Sequence, residues 1–422
     1  MSMKFNKSSQ LLLVSAASLL AAVLITACGT ATVDFVYVTS AKAAGTNNYG
    51  EIDVFEINRT SGYMRQISTS PFPSGGRNPV AEAVSSDYTN LYVVNLDDNT
   101  IVQFMIGNDG KLYPQNTVNT PGIYPLAVAV SGMNLFVVDT YQPLPSCSNQ
   151  DPCPGSVGVF PLLPATTGSN PTIAGAPGTP LTNPSNDADY WPLILPGDPS
   201  HIIVPTAINV LQSGADLFVT AYDSSVTPNA GYVFGFSIGS SGALTPLNGG
   251  VPFAAGVHPS AIASDSSSTY VYVTDSVSGN IRGYSFASGL LTPLSGSPFP
   301  AGNQPSSIVV DPAYPYAYVA NATDGNVEAY SISGSGALTF LGGSTTPVTY
   351  AAGIDPVAIG IDPSTNHFVF TANFTPDGVN GTVSNFELIA TAGTLTNAQQ
   401  SPFTSNANPT AVAAVPHGST QK

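Results

Sequence analysis

Short apolar runs alternate with turn residues along most of the chain, and the alternation itself repeats. A proline opens one apolar run, a turn rich in Asp, Pro, Ser or Asn follows, and a second apolar run closes in Asn or Asp. The phrase reads NPVAEAVSSDYTNLYVVN from Asn78, HPSAIASDSSSTYVYVTD from His258 and QPSSIVVDPAYPYAYVAN from Gln304. More divergent copies start at Tyr124, Val204 and Asp355, and a truncated one, NPTAVAAV, at Asn408. Runs this short, bounded by turn formers, predict β-strands. A third predicted strand follows each pair, as at 326–332, and a fourth carries the pattern G-x-L-T-x-L, as at 242–247 and 336–341. Several copies then add Pro-Phe, as at Pro71-Phe72 and Pro298-Phe299.

The opening prolines, Pro79, Pro125, Pro205, Pro259, Pro305, Pro356 and Pro409, lie 46, 80, 54, 46, 51 and 53 residues apart. A period near 50 with four short strands per unit predicts an all-β, seven-bladed β-propeller, because each unit is too small to bury a core alone and must stack on its neighbours. The ends of the chain complement each other. VDFVYVT at 33–39 matches a second strand, and 409–415 supplies only a first. The ring is therefore expected to close by the C-terminal strand joining the N-terminal blade, which leaves no open sheet edge. The propeller spans 33–415, with a polar tail at 416–422. The long interval, 80 residues, places an insert in the third blade at about 141–200. Insertions in repeats map to loops, often on the binding face. Trp191, the only Trp, lies in this insert, where packing the insert onto the ring is its expected role.

These phrases resemble those of the seven-bladed lactonase-like propellers, the 6-phosphogluconolactonase-like and YVTN-repeat proteins, over essentially the whole of 33–415. The resemblance implies His and Arg near the channel that polarise a lactone carbonyl or hold an anionic substrate. The residues here that match are His258, directly before its proline, and Arg77, one position further out in another blade; Asp355 or Asp275 would be the orienting carboxylate.

In a propeller the first strand leaves the face at which the chain enters and the second returns to it. The residues before each proline should therefore ring one channel mouth with the residues that end each second strand. The first ring holds Asn78, Tyr124, Val204, His258, Gln304, Asp355 and Asn408, and the second includes Asn95, Asp139, Asp275, Asn321 and Asn373. Asn and Asp repeated at one turn are expected to lock it with their own side chains. The mixed first ring reads more like a tailored pocket rim. Asn78, Tyr124, Gln304, Asn408, Asp139 and Asp275 are the expected ligand contacts.

The N-terminus changes the compartment. Lys4 and Lys7 precede an apolar run that ends in Ile25-Thr26-Ala27-Cys28-Gly29. This resembles a bacterial lipoprotein signal over 1–27, with Cys28 as the lipidated residue and 28–32 as a short tether. It implies a protein anchored in the cell envelope, at the outer membrane or cell surface. Past that signal, seven basic and 25 acidic residues remain, a formal charge of −18. That charge repels phosphates and disfavours nucleic acid as a partner. Cys147 and Cys153, in PSCSNQDPCPG, are expected to form a disulfide in an oxidising compartment. No metal or cofactor is expected. Asn186, Asp187 and Asp189 read as a solvated loop, and His201, His367 and His417 show no ligand spacing.

With 8% charged residues and 19 Tyr, the composition favours a polar, neutral partner. The leading expectation is a recognition platform for a glycan, a protein or a small polar ligand at the channel mouth. The alternative is a lactone hydrolase.

Overall fold

The structure, a computed structural model, describes residues 32–42, 48–164, 174–342, 346–363, 367–375 and 380–418. The signal segment, Cys28, part of the insert and the last four residues lie outside the described residues. Seven antiparallel sheets form the ring of the predicted propeller. The ring closes as the sequence requires: the C-terminal strand Asn408–Pro416 pairs with the second strand of the first blade, Thr32–Ala41. Six sheets carry a short fifth piece beyond the four predicted strands, formed by the segment leading to the next blade. The Pro-Phe signature belongs to these pieces, which start at Phe72, Phe253, Phe299 and Phe403 and pair with the third strand of their own blade. In three of them the preceding Ser completes the join. Ser70, Ser297 and Ser401 accept the third-strand N–H of Val54, Gly283 and Asn385 at 2.8, 3.0 and 2.9 Å. Those amides face outward between the two outer pieces and would otherwise lack an acceptor.

The recurrent motifs link one blade to the next. Second-strand tyrosines are buried between blades, where a phenol needs a partner for its hydroxyl. Tyr37, Tyr92, Tyr272 and Tyr318 donate to the carbonyls of Gly110, Gly175, Gly336 and Gly393 at 3.1, 2.7, 2.8 and 3.1 Å. Each acceptor glycine has positive φ, between 68° and 76° for three and 80° for Gly336, so a glycine at the outer turn is conformationally required. At the channel the residue after the opening proline stitches adjacent first strands. Ser260, Ser306 and Thr410 donate to the carbonyls of Pro305, Pro356 and Pro79, each the opening proline of the following blade, at 2.6, 2.5 and 2.9 Å. Apolar clusters between the sheets fill the space that remains.

The insert leaves the third blade and packs on the fourth. Trp191 is buried and its indole N–H donates to the Leu244 carbonyl at 2.8 Å, which is the packing role expected of it. A largely apolar recess of about 370 Å³ lies between Trp191, Pro192 and Ile194 of the insert and Phe234, Phe236 and Leu247 of the fourth blade.

Candidate functional site

The strand pairing puts both predicted rings on one face. Pro79 sits opposite Asn95, Pro125 opposite Asp139, Pro259 opposite Asp275, Pro305 opposite Asn321 and Pro356 opposite Asn373. The second ring lies beneath the mouth and is fully buried. Asp275 accepts the backbone N–H groups of Val257 at 2.8 Å, of His258 and Ser278 at 3.1 Å and the Ser278 hydroxyl at 2.7 Å. Burial pushes its carboxyl up, but these donors outweigh it and hold Asp275 below the usual carboxylate range. Asp139 has fewer donors, the Gly122 N–H at 3.0 Å among them, and burial pushes it up to about 7.

A glycine three residues before the proline makes room for each lock. A Cβ on Gly76, Gly122, Gly256, Gly302 or Gly353 would come within 2.1 to 2.7 Å of the buried Asn or Asp of the same blade. The first and fourth blades depart from this arrangement; in the first, Ser40 stands opposite Pro409 and Asn406 takes the glycine position. In the fourth, Ile202 occupies the glycine position and Ala221 stands opposite Pro205, and two residues further on the second strand, Asp216–Asp223, ends in Asp223, whose carboxylate takes the imidazole of His201. Asp223 Oδ2 meets His201 Nδ1, while Oδ1 accepts the Ser225 N–H at 2.9 Å and the Ser225 hydroxyl. Burial pushes Asp223 up, and these bonds, led by those from Ser225, bring it below its ordinary value. The Asp223 side chain is 1% exposed and that of His201 27%, so the imidazole is anchored from below and reaches solvent above. On its other side, His201 Nε2 lies 3.4 Å from Asp198, at the end of the insert. Ligand spacing could not reveal His201.

The neighbouring residue organises a second imidazole. Tyr222 stacks on His258 of the fifth blade, with ring centroids 4.0 Å apart and planes at 30°. His258 Nδ1 is 3.2 Å from the Ser276 hydroxyl. On the third-blade side, Tyr124 meets Tyr141 edge to face at 6.0 Å. Burial, with the charge of Tyr141 second, pushes the Tyr222 hydroxyl up. Tyr124, Tyr141, Tyr222 and His258 thus form a half-buried aromatic arc over three consecutive blades. Tyr124 adopts a positive φ of 56°, a backbone state uncommon outside Gly, Asn and Asp. The disulfide-closed loop stands at the end of this arc: Cys147 and Cys153 are bonded, and Gln142 N–H joins the Pro154 carbonyl at 3.1 Å.

The other expected residues stand elsewhere on the face. Arg77 is engaged by Asp98, at 2.7 Å through Nε and 2.6 Å through a terminal nitrogen, and by the Asp97 carbonyl at 3.2 Å. Asn78 bonds Asp97 at 3.2 Å. Gln304 and Asp355 share a recess of about 410 Å³ with Thr323, Asp324 and Ile354, and burial pushes the Asp355 carboxyl up. Asn408 begins the closing strand opposite Ala41. His258, Arg77 and Asp355 enter at the fifth, second and seventh blades, and among the described residues no hydrogen bond, ion pair or ring contact joins them. Among the described residues, no three His, Cys, Asp or Glu side chains are placed to hold a metal ion.

Comparison with known proteins agrees with this architecture. Residues 272–418 match the family model "Lactonase, 7-bladed beta-propeller". No curated protein matches the chain in sequence. Among solved structures, a candidate 6-phosphogluconolactonase from Bacteroides fragilis superposes with a TM-score of 0.66 at 18% identity, covering 92% of this chain and 99% of that one. The periplasmic gluconolactonase of Pseudomonas aeruginosa gives 0.66 at 16% identity, with 91% and 99% covered. A protein of unknown function from Desulfotomaculum acetoxidans gives 0.60 at 14% identity, with 90% and 98% covered. With the fold matched throughout and residues 272–418 similar to the lactonase propeller family, the chain is a seven-bladed β-propeller whose C-terminal third resembles that family.

Proposed function

We propose that the chain is a lactone hydrolase working outside the cytoplasm on a neutral sugar lactone bound at the mouth of blades three to five. The observation that carries this reading is the aromatic arc ending in the Tyr222–His258 stack. A pyranose-derived lactone has a flat apolar C–H face and a polar rim. Half-buried aromatic rings bind such a face, and the Ser276 hydroxyl and His258 imidazole at their edge offer partners to the rim. The family likeness supplies the reaction class. A phosphorylated sugar fits less well, because phosphate calls for charge-assisted donors and the mouth's Arg77 is already committed to Asp98.

The disulfide at Cys147–Cys153 supports an oxidising compartment. The Cys28 signal supports a lipid anchor in the envelope. If that anchor exists, Cys28→Ser moves the protein to the soluble fraction; unchanged membrane partition argues against it. The recognition reading rests on the same arc and on the adjoining disulfide-closed loop, and it differs in one outcome. Purified protein should hydrolyse glucono-1,5-lactone faster than its 6-phosphate ester, followed by acid release above the spontaneous rate. Tyr222→Ala should raise KM at least tenfold. Saturable binding of the sugar without turnover would favour recognition instead.

A further inference from the structure

We infer that His201, held by Asp223, is the general base that activates water at this site. The inference rests on the lactone-hydrolase reading and assigns the proton transfer within it. Asp139 and Asp275 accept backbone amides, whereas Asp223 accepts an imidazole. Asp223 lies two residues beyond Ala221, the residue opposite Pro205, so it is an additional carboxylate at the end of the fourth blade's second strand.

The geometry suits the role. Ser225 fixes one carboxylate oxygen of Asp223 through its backbone N–H and its hydroxyl, and the other oxygen takes His201 Nδ1. That bond puts the proton on Nδ1 and leaves the Nε2 lone pair outward. A buried carboxylate behind a histidine orients the ring and stabilises the imidazolium formed when Nε2 takes a proton. Asp198, 3.4 Å from Nε2 and on an exposed turn, adds a second negative charge beside that imidazolium. Tyr222 and Asp223 are consecutive in one strand and project to its two sides. His258 and His201 therefore flank a single strand end, one presenting the stacked substrate and the other the base.

The step balances. His201 Nε2 removes a proton from water as the water oxygen bonds to the lactone carbonyl carbon. The tetrahedral intermediate collapses, the ring C–O bond breaks, and the departing alkoxide takes the proton from the imidazolium. Water is added across the ester, the product is the open hydroxy acid, and no oxidant or metal is consumed.

His201→Gln tests the assignment, because its amide can still donate to Asp223 and the buried carboxylate keeps a partner. With glucono-1,5-lactone as substrate, kcat should fall by ~10²-fold or more, the scale of a positioned acid–base group, with KM little changed. Tyr222→Ala should show the opposite split. His201→Ala should regain activity with added imidazole, which a merely structural histidine would not permit. Asp223→Asn, which loses the ring orientation, should also lower kcat. Wild-type turnover with an unchanged kcat in folded His201→Gln overturns this inference and leaves the lactonase reading standing. Absence of lactone turnover by the wild type overturns both.

Discussion

Asp223 accepts the imidazole of His201 two residues beyond Ala221, which occupies the strand position where Asp275 of the fifth blade accepts the backbone N–H of Val257. The position that carries a lock in the fifth blade thus carries none in the fourth. The contrast gives the locks a measurable value, separate from any activity.

Gly256→Ala should cost ~2–4 kcal/mol in urea unfolding. Its Cβ would fall 2.1 Å from the Asp275 carboxylate, and its φ of 90° strains any side chain. Gly132→Ala is the control, with a φ of 55° and nothing within 4 Å. It should cost only ~1 kcal/mol, from backbone strain alone. Equal losses would show that the lock adds nothing.

The interblade tyrosines can be tested by removing one oxygen. Tyr318→Phe keeps the ring packed but strips the Gly393 carbonyl of its donor at 3.1 Å. The expected loss is ~1 kcal/mol, the usual net value of such a bond. No loss would reduce the tyrosine hydroxyl to an accident of packing.

Stability should fall as pH rises from about 4 to about 8. Burial, with the charge of Asp362 second, pushes Asp34 up to about 8, and burial pushes Glu82 up to about 8 against the Thr39 hydroxyl that donates to it. In the unfolded chain both titrate near ~4. Between those values the native state holds protons that the unfolded state has lost, so raising the pH favours unfolding. The contribution is fully present below about pH 4 and has gone once pH passes about 8. Asp34→Asn should therefore raise the melting temperature relative to wild type at pH 8 and change it little at pH 4. The reverse order would contradict these assignments.

Ring closure predicts an asymmetry between two truncations. Deleting residues 408–422 removes the strand that pairs with Thr32–Ala41 and leaves open edges. Aggregation or a clearly lower melting temperature should follow, since an unpaired edge templates association. Deleting 417–422 should be nearly silent in light scattering and melting. A monomer with wild-type melting after the longer deletion would contradict the closure.

The architecture was legible because the repeat is written in residues whose backbone demands are specific. The seven opening prolines marked the first strands, and the complementary ends at 33–39 and 409–415 marked the closure. The aromatic arc was half legible: Tyr124 and His258 stand before prolines, but Tyr141 and Tyr222 lie past Asp139 and Ala221, the positions opposite the prolines at which the repeated phrase ends. His201 escaped because its partner lies 22 residues away and only the fold joins them. Ile202 stands where five blades have glycine, but Ala221 leaves no lock there to make room for, so it gave no sign of His201. The engagement of Arg77 by Asp98 likewise depends on a loop conformation that no motif encodes.

The central claim is that a neutral sugar lactone sits between the two imidazoles held by Tyr222 and Asp223. The direct measurement is a crystal structure with gluconolactam, a lactone mimic that resists hydrolysis. The account predicts density stacked on the Tyr222–His258 pair, with its carbonyl region facing His201 Nε2. A lactam bound instead in the Gln304–Asp355 recess, or none bound at saturating concentration, would contradict it.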